Sequence, residues 1–258
     1  MEKLEGIEAL LVDIDGVLYV EDEPIDGARE ALAELREAGI GLRFGTNTTT
    51  RSRQATLEKL DRLGFEVGED ELITPAVLAR RLCADRGHRS VALFMDEGIK
   101  EDFDELEVDD QAPDAVIVGD LGSAFGFEIL NRAFRLVMDG AKLIALQKNR
   151  FWRTVDGLSL DAGPFVAAIE YASGEQAAVV GKPSAAFFEL VVASLGADAD
   201  TTAMVGDDIE TDIGGALDAG LSAIQVRTGK YDERFVAESG IEPTRTVDSL
   251  ADAPGLVV

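Results

Sequence analysis

The chain has 258 residues, of which 46% are hydrophobic and only one is cysteine, so it can bury a large core and cannot form an internal disulfide. Its formal net charge of −26, from 50 acidic and 24 basic residues, disfavours direct binding to nucleic acid or to an anionic membrane surface. No apolar run reaches the length of about 18 residues that a membrane-spanning helix needs. The first residues lack the basic and apolar regions of a signal peptide, which, with the single cysteine, predicts a cytoplasmic protein.

The first strong pattern is the apolar run of residues 9–12, which leads directly into Asp13. Such a run is typical of a strand buried on both faces of a parallel sheet. Because side chains alternate along a strand, Asp13 and Asp15 can point the same way, and Gly16 lets the backbone turn away beyond them. Two carboxylates at a strand end suit Mg²⁺, which prefers oxygen ligands. The alternative is a surface turn with no ligand.

The next elements follow in alternation. Apolar spacing predicts a helix over residues 25–38, a strand over 40–44 and a helix over 52–63. The strand ends in the polar cluster Thr46–Asn47. Strand, helix, strand and helix in this order predict right-handed crossovers and a parallel sheet.

A second set of α/β elements begins near residue 73. Strands are expected over 91–95, 115–119 and 141–146, and helices over 77–84, 127–138 and 164–172. The very acidic segment 96–110 is expected to lie on the surface. Lys148, Arg150, Trp152 and Arg153 form a basic and aromatic patch in this otherwise acidic chain, which either faces a ligand or packs within its own domain.

The last part of the chain returns to the opening pattern. After Lys182 come a helix ending near residue 195, an apolar strand that runs into Asp207 and Asp208, a helix over 211–219 and a strand over 222–226. We therefore predict an α/β fold with a Rossmann-like parallel-sheet core, formed by residues 1–76 and 177–258. Residues 77–176 are predicted to form an inserted α/β domain.

Four polar clusters follow predicted strands, and in one parallel sheet they would converge at its carboxyl edge. The clusters are Asp13 with Asp15; Thr46 with Asn47; Lys182; and Asp207 with Asp208 and Asp212. This set suits phosphoryl transfer, with a carboxylate nucleophile, a second carboxylate as acid and base, phosphate-binding donors, a lysine and a magnesium site.

The motifs DIDGV, GTNT, GKP and GDDIETD resemble, in order and spacing, those of the haloacid dehalogenase superfamily of phosphohydrolases. The insertion between the second and third motifs resembles subfamily II with a C2-type cap. The similarity is greatest to the NagD-type branch (subfamily IIA), which includes phospholysine phosphohistidine inorganic pyrophosphate phosphatase. It extends over nearly the whole chain, through stretches such as TNTTTRSRQATLEKLDRLGF and VVGKPSAAFFELVVASLG.

The resemblance implies a Mg²⁺-dependent phosphatase that acts on a small organic phosphate or pyrophosphate, with a cap that reads the leaving group. It assigns Asp13 as nucleophile and Asp15 as acid and base. Thr46, Asn47 and Lys182 would bind phosphate, and the metal ligands would be Asp13, the Asp15 carbonyl and Asp207. Asp208 and Asp212 would support the metal site, although both could instead cap the following helix. Dimerisation through the cap is a further expectation from relatives.

Other functions are compatible with an aspartate at a strand end. A phospho-accepting signalling module would gain nothing from the acid and base Asp15, and it would not need the inserted domain. A dehalogenase would not need to protonate its leaving group. A non-catalytic binding protein would have no use for the complete set of motifs.

The charge distribution predicts a dependence on salt. Only seven residues are lysine, and the acidic residues are spread over the predicted helices, a pattern that we interpret as adaptation to high salt. The Debye length falls from about 10 Å at 0.1 M salt to about 3 Å at 1 M, which weakens the repulsion between surface carboxylates. We expect the melting temperature and the phosphatase rate to rise from low to molar KCl at fixed Mg²⁺. A melting temperature that stays flat or falls across the series would contradict the interpretation.

Overall fold

The computed structural model describes residues 3–154 and 157–258, and for residues 152–154 it describes the backbone alone. The chain forms two compact units. Unit 1 contains Met1–Thr46, Leu57–Ile73 and Lys182–Val258, and unit 2 contains Asn47–Thr56 and Thr74–Gly181. No helix in the described ranges has both the length and the apolar character to cross a bilayer.

The first third of the chain supplies three strands of the unit 1 sheet and a small hairpin. Its elements are β1 (Ala9–Asp13), β2 (Tyr19–Val20), β3 (Glu23–Pro24), α1 (Ala28–Glu37), β4 (Gly41–Gly45), α2 (Arg53–Arg62) and β5 (Leu72–Ile73). Helix α1 forms because its apolar side chains recur on one face, and Ala28, Ala31, Leu32 and Leu35 are all buried there.

The middle of the chain forms most of unit 2. Its elements are α3 (Pro75–Arg86), β6 (Ser90–Phe94), α4 (Glu97–Lys100), β7 (Glu107–Val108), β8 (Ala115–Val118), α5 (Phe127–Met138), β9 (Lys142–Ala145), β10 (Phe151–Thr154), β11 (Gly157–Leu160), α6 (Ala162–Ser173) and β12 (Ala178–Val179). Helix α3 begins where Thr74 caps it and Pro75 takes the first helical position, and it ends at Gly87 in the left-handed conformation.

The last third of the chain returns to unit 1. Its elements are α7 (Ala185–Leu195), β13 (Thr202–Gly206), a π-helical turn (Ile209–Gly214), α8 (Gly215–Asp218), β14 (Ser222–Val226), α9 (Glu233–Ser239), β15 (Arg245–Val247) and α10 (Pro254–Val257).

The unit 1 sheet has six strands in the order β15-β14-β13-β1-β4-β5, and every pairing is parallel. Strand β1 lies in the middle of this sheet, between β13 and β4, and all five of its residues are buried. Its central place sets which loops share the carboxyl edge with Asp13. The register pairs Asp13 with Gly45 on one side and Val12 with Val205 on the other.

Unit 2 has its own parallel sheet of five strands, in the order β12-β9-β8-β6-β7, and a separate antiparallel hairpin of β10 and β11. Its core contains the fully buried Val116 and Ala145 from the sheet, packed with Val166 from α6. The side chains of Leu158 and Leu160 on the hairpin are exposed.

The predicted α/β fold with a parallel-sheet core is confirmed, and the strand over 222–226 and the helix over 127–138 match the structure. That the inserted α/β elements also form a parallel sheet was not predicted. Segment 96–110 was predicted to be surface, but Ile99 and Phe103 within it are buried because a short helix turns them inward. The helix expected from residue 211 begins earlier, at Ile209, where Asp208 caps it. The small hairpins, the two-residue strands and β15 were not predicted, since such short elements carry little periodicity.

The boundaries between the two compact units lie between residues 73 and 74 and between residues 181 and 182, and residues 47–56 belong to unit 2. The predicted domain junctions lie instead at 76/77 and 176/177. The assignment of these parts as a catalytic core and a substrate-reading cap stays a prediction.

The packing of α1 gives a test of the unit 1 core. Leu35 is fully buried, whereas the neighbouring Glu34 is exposed on the same helix. We expect Leu35→Ala to lower the free energy of unfolding by about 2–5 kcal/mol, because it removes buried methyl groups and leaves a cavity. Glu34→Ala is the matched control and should change it by less than about 0.5 kcal/mol. Urea unfolding followed by circular dichroism measures both, and equal losses would contradict the assigned packing.

Candidate active site at the carboxyl edge of the unit 1 sheet

Asp13 is the last residue of β1, and only 7% of it is exposed. A carboxylate is costly to bury unless it is paired. Lys182 supplies the partner, with its Nζ 2.5 Å from Oδ1 of Asp13. Lys182 is itself 2% exposed, so this ion pair lies out of contact with bulk water.

Lys182 bridges two acids. Its Nζ also lies 2.6 Å from Oδ1 of Asp212, which is 1% exposed. The ammonium therefore stands between a carboxylate from β1 and one from the π-helical turn after β13. Removing either acid would leave the other to neutralise a buried cation alone.

Asp15 lies two residues beyond Asp13, just outside the strand, and is partly exposed. The hydroxyl of Thr46, the residue after β4, lies 3.5 Å from Oδ2 of Asp15. Thr46 is 2% exposed, and its backbone N–H donates to the carbonyl of Ile73 on β5. Asp13, Asp15 and Thr46 therefore lie together at the carboxyl edge of the unit 1 sheet, where the sequence predicts them.

Asn47 is grouped with unit 2, whereas its neighbour Thr46 belongs to unit 1. Within unit 2 its Oδ1 lies close to Gly181, where an added Cβ would stand 2.7 Å from that oxygen. Glycine at 181 therefore permits this approach. The role of Asn47 in binding phosphate stays a prediction.

The acids after β13 divide into two kinds. Asp208 caps the following turn, since its Oδ1 accepts the backbone N–H groups of Glu210 and Thr211 at 3.0 Å each. Asp207 and Asp212 are instead buried and belong, with Asp13, to a cluster in which one carboxylate oxygen from each lies within 4.8 Å of the others. The π-helical turn that carries Asp212 is a type of element that often occurs at functional sites.

One part of the site was missed in the sequence, the loop after β14. The backbone N–H of Lys230 donates to Oδ2 of Asp207 at 2.7 Å, and its Nζ lies 3.6 Å from Asp208. The hydroxyl of Thr228 donates to the carbonyl of Gly16 at 2.5 Å. The signal was present, because Arg227-Thr228-Gly229-Lys230 is a polar cluster after a parallel strand, like the others.

Two glycines allow this loop to approach Asp207. An added Cβ on Gly16 or on Gly229 would stand 2.0 Å from Oδ2 of Asp207, which no real side chain permits. Both glycines have positive φ, at 87° and 62°. We call Gly16 and Gly229 the glycine cradle. The cradle leaves room for Oδ2 of Asp207 to accept the hydrogen bond from the Lys230 N–H. Oδ1 of Asp207 has no hydrogen-bond partner among the residues described.

Burial raises the pKa of Asp13 well above its usual range, with help from Asp212 and Asp207, while Lys182 opposes the rise. Burial also raises the pKa of Asp207 to about 7, and the carboxylate of Asp212 adds to this. Burial acts against the charge of Lys182, but Asp13 and Asp212 outweigh it and raise the Lys182 pKa. Burial and the neighbouring acids thus disfavour the charged forms of Asp13 and Asp207.

This donor set fits a Mg²⁺ ion. The carboxylates are hard oxygen ligands. Oδ1 of Asp207, which has no hydrogen-bond partner in the described part of the chain, is a buried acceptor that a cation would satisfy. A cation would also favour the charged forms of Asp13 and Asp207, whose pKa values burial raises. Asp13 and Asp207 were both predicted as ligands. Asp212 was predicted only as a supporting residue, yet it lies within the cluster.

The basic patch of unit 2 is partly occupied by internal contacts. Lys148 forms an ion pair with Glu170 at 2.6 Å, and the guanidinium of Arg150 lies 5.4 Å from the ring centre of Phe151. The side chains of Trp152 and Arg153, which the sequence placed in the same patch, lie outside the described residues.

Comparison with known families gives two matches along the chain. Residues 10–109 match a model described as haloacid dehalogenase-like hydrolase, and residues 179–253 match a HAD-hydrolase-like model. The first match includes β1 with Asp13 and Asp15 as well as Thr46. The second includes Lys182 and the acids after β13.

Similar curated proteins extend over almost the whole chain. The human haloacid dehalogenase-like hydrolase domain-containing protein 2 is 43% identical over 253 residues, which are 98% of this chain and 96% of that protein. Human phospholysine phosphohistidine inorganic pyrophosphate phosphatase is 38% identical over 263 aligned positions, which cover 100% of this chain and 96% of that protein.

Solved structures of phosphatases and of NagD also superpose on almost the whole chain. The p-nitrophenyl phosphatase from Archaeoglobus fulgidus superposes with a TM-score of 0.89 at 29% identity, over 96% of this chain and 98% of that one. NagD from E. coli K-12 superposes with a TM-score of 0.83 at 25% identity, over 95% of this chain and 98% of that one.

The glycine cradle gives a test that needs no substrate. We expect Gly229→Ala to weaken binding of Mg²⁺ or Mn²⁺ by about 10-fold or more, because the new Cβ displaces a carboxylate at the centre of the cluster. Gly240→Ala is the matched control, since it has a similar φ of 71° but nothing within 4 Å of the added Cβ. Isothermal titration calorimetry measures both affinities. If the two variants bind metal equally well, Asp207 does not hold the cation as placed here.

Proposed function

Since the chain belongs to the haloacid dehalogenase-like hydrolase family and is a phosphatase, we propose that it hydrolyses a small organic phosphate or pyrophosphate through a phosphorylated Asp13. The observation that carries this proposal is the buried ion pair at the end of β1, in which Lys182 holds Oδ1 of Asp13 at 2.5 Å. This ion pair fixes the direction of the carboxylate, so that its other oxygen is oriented to attack.

In the first step Asp13 attacks phosphorus, so that a bond forms between its carboxylate oxygen and the phosphorus atom. The bond from phosphorus to the leaving oxygen breaks, and Asp15 gives that oxygen a proton. The position of Asp15, two residues from Asp13 and near the Thr46 hydroxyl, supports this role.

In the second step Asp15, now deprotonated, takes a proton from water. The water oxygen attacks phosphorus, and the bond to Asp13 breaks, which releases phosphate and restores both carboxyl groups. Lys182 balances negative charge on Asp13 and on the transferring group throughout, and the Thr46 hydroxyl donates to a phosphate oxygen.

The proposed metal is Mg²⁺, held by Asp13, the carbonyl of Asp15 and Asp207, with Asp208 and Asp212 in support. When bound, it supplies positive charge that offsets the repulsion between an anionic nucleophile and an anionic substrate. The cluster of buried carboxylates and the unpartnered Oδ1 of Asp207 support this assignment.

The proposed substrate class draws on the relatives. Their names describe a phosphatase of phospholysine, phosphohistidine and inorganic pyrophosphate and phosphatases of p-nitrophenyl phosphate. A screen of sugar phosphates, nucleotides, pyridoxal phosphate, phosphoglycolate and pyrophosphate against the purified protein tests the class. No turnover of any of these compounds would contradict the proposal.

Asp13→Asn should abolish turnover, because an amide is a poor nucleophile and a weaker metal ligand. Rates on p-nitrophenyl phosphate measure the loss, and acid-quenched wild-type enzyme should carry covalent phosphate that the variant lacks. Asp26→Asn, a change of an exposed carboxylate in the same unit, is the control and should leave the rate intact. Substantial turnover by Asp13→Asn would overturn the nucleophile assignment.

Asp15→Asn should lower the rate by about 10²–10⁴-fold on an alkyl phosphate, the usual scale for acid and base catalysis. With p-nitrophenyl phosphate the rate of Asp13 phosphorylation should fall less than with the alkyl phosphate, because nitrophenolate leaves without full protonation. Single-turnover kinetics separate this step from the later attack of water. Equal losses of the phosphorylation rate for both substrates would argue against Asp15 as the leaving-group acid.

A further inference from the structure

A small hairpin follows Asp15 directly. Strands β2 and β3 pair antiparallel, Tyr19 with Pro24 and Val20 with Glu23, around the turn residues Glu21 and Asp22. Glu21 has φ of 55°, and it is the only non-glycine residue with positive φ in the described part of the chain. A side chain rarely adopts this conformation, so the surrounding structure must hold the turn in place.

Lys59 on α2 holds that turn. It is 5% exposed, and its Nζ donates to the carbonyl of Glu21. The same Nζ lies 3.1 Å from Oδ1 of Asp22 and 4.1 Å from the ring centre of Tyr19. The Asp22 side chain is 84% exposed, so solvent screens that ion pair. The contact with the Tyr19 ring, which is 1% exposed, is the buried one, and the hydrogen bond to the Glu21 carbonyl is partly buried.

The hairpin is joined in turn to the acid and base residue. The backbone N–H of Gly16 donates to the carbonyl of Tyr19 at 2.8 Å, and Asp15 and Tyr19 form an isolated β-bridge. The N–H of Ile25 donates to the carbonyl of Leu18 at 2.9 Å and closes the base of the hairpin. Any shift of Tyr19 is therefore transmitted to the backbone of residues 15 and 16.

We propose that Lys59 is a positioning residue for Asp15, which it acts on through the hairpin of residues 19–24. The inference rests on the proposed role of Asp15 as leaving-group acid. Lys59 fixes the turn and the Tyr19 ring, the Tyr19 carbonyl fixes the Gly16 N–H, and the carboxyl group of Asp15 is held where it meets the leaving oxygen. A lysine is almost never fully buried unless its charge is paired, and in the described part of the chain the Lys59 ammonium contacts Tyr19, Glu21 and Asp22 of the hairpin.

The kinetic test compares leaving groups. Lys59→Met keeps an unbranched side chain one atom shorter than lysine and removes its charge. We expect a loss of about 10–10²-fold on an alkyl phosphate, the scale of a misplaced catalytic group, and a loss several-fold smaller in the phosphorylation rate of p-nitrophenyl phosphate. Lys59→Arg should restore most of the alkyl phosphate rate. Asp22→Asn removes only the screened ion pair and is the control, with both rates near wild type.

A double-mutant cycle separates positioning from a general loss of stability. Adding Lys59→Met to Asp15→Asn should cost almost nothing further on the alkyl phosphate, because the misplaced group is already gone. Additive losses, or a Lys59→Met loss that is equal for both substrates, would overturn the proposal. If the loss caused by Asp15→Asn does not depend on the leaving group, the proposed role of Asp15 as acid is wrong. Hydrogen exchange at the Gly16 N–H still tests whether Lys59 holds the backbone next to Asp15.

Hydrogen exchange tests that link without substrate. The Gly16 N–H should exchange at least about 10-fold faster in Lys59→Met than in wild type and at the wild-type rate in Asp22→Asn. If Lys59→Met does not fold, as judged by circular dichroism, Lys59→Gln replaces it in both assays, because its side chain is uncharged and shorter than that of lysine and so also removes the contacts of the ammonium. Unchanged protection of Gly16 in the folded variant would overturn the proposal.

Discussion

The structure of the site depends on the buried contact of Lys182 with Asp13 and Asp212. One ammonium lies within 2.6 Å of carboxylates from two different segments of the chain, and all three side chains are largely hidden from water. In such a place an unpaired charge is costly, so each group requires the others. The sheet must therefore bring the ends of β1 and β13 side by side, and the register of these two parallel strands does so.

Close packing around Asp207 is the second constraint. The glycine cradle lets two loops meet at one carboxylate oxygen, and Gly206 lets the Asp212 side chain lie where a Cβ would stand 2.3 Å away. Substituting any of these glycines would move an acid in the cluster. The acids are thus held close together by backbone packing in spite of their mutual repulsion, which is one reason why their charge favours a bound cation.

Buried lysines hold both ends of the catalytic segment. Lys182 contacts Asp13 directly, whereas Lys59 contacts the hairpin that follows Asp15. The chain has only seven lysines and a formal net charge of −26, yet two of the lysines are among its buried residues. In a protein with so acidic a surface, these internal cations lie in unit 1 close to the segment that carries the proposed chemistry.

Sequence alone was sufficient for the α/β fold, for most long elements and for Asp13, Asp15, Thr46, Lys182 and Asp207 at one sheet edge. Most of these features are local: an apolar run, a helical period, or a polar cluster where a strand ends. Lys182 differs, because the strand before it, β12, pairs in the unit 2 sheet, and only the tertiary structure brings its ammonium to Asp13. The tertiary structure alone decided that Asp212 enters the acid cluster while Asp208 caps a turn, that the Lys230 backbone holds Asp207, and that Lys59 reaches Glu21. These contacts join segments whose separation along the chain carries no periodic signal, and they form only when the packed sheet sets the distances between its loops.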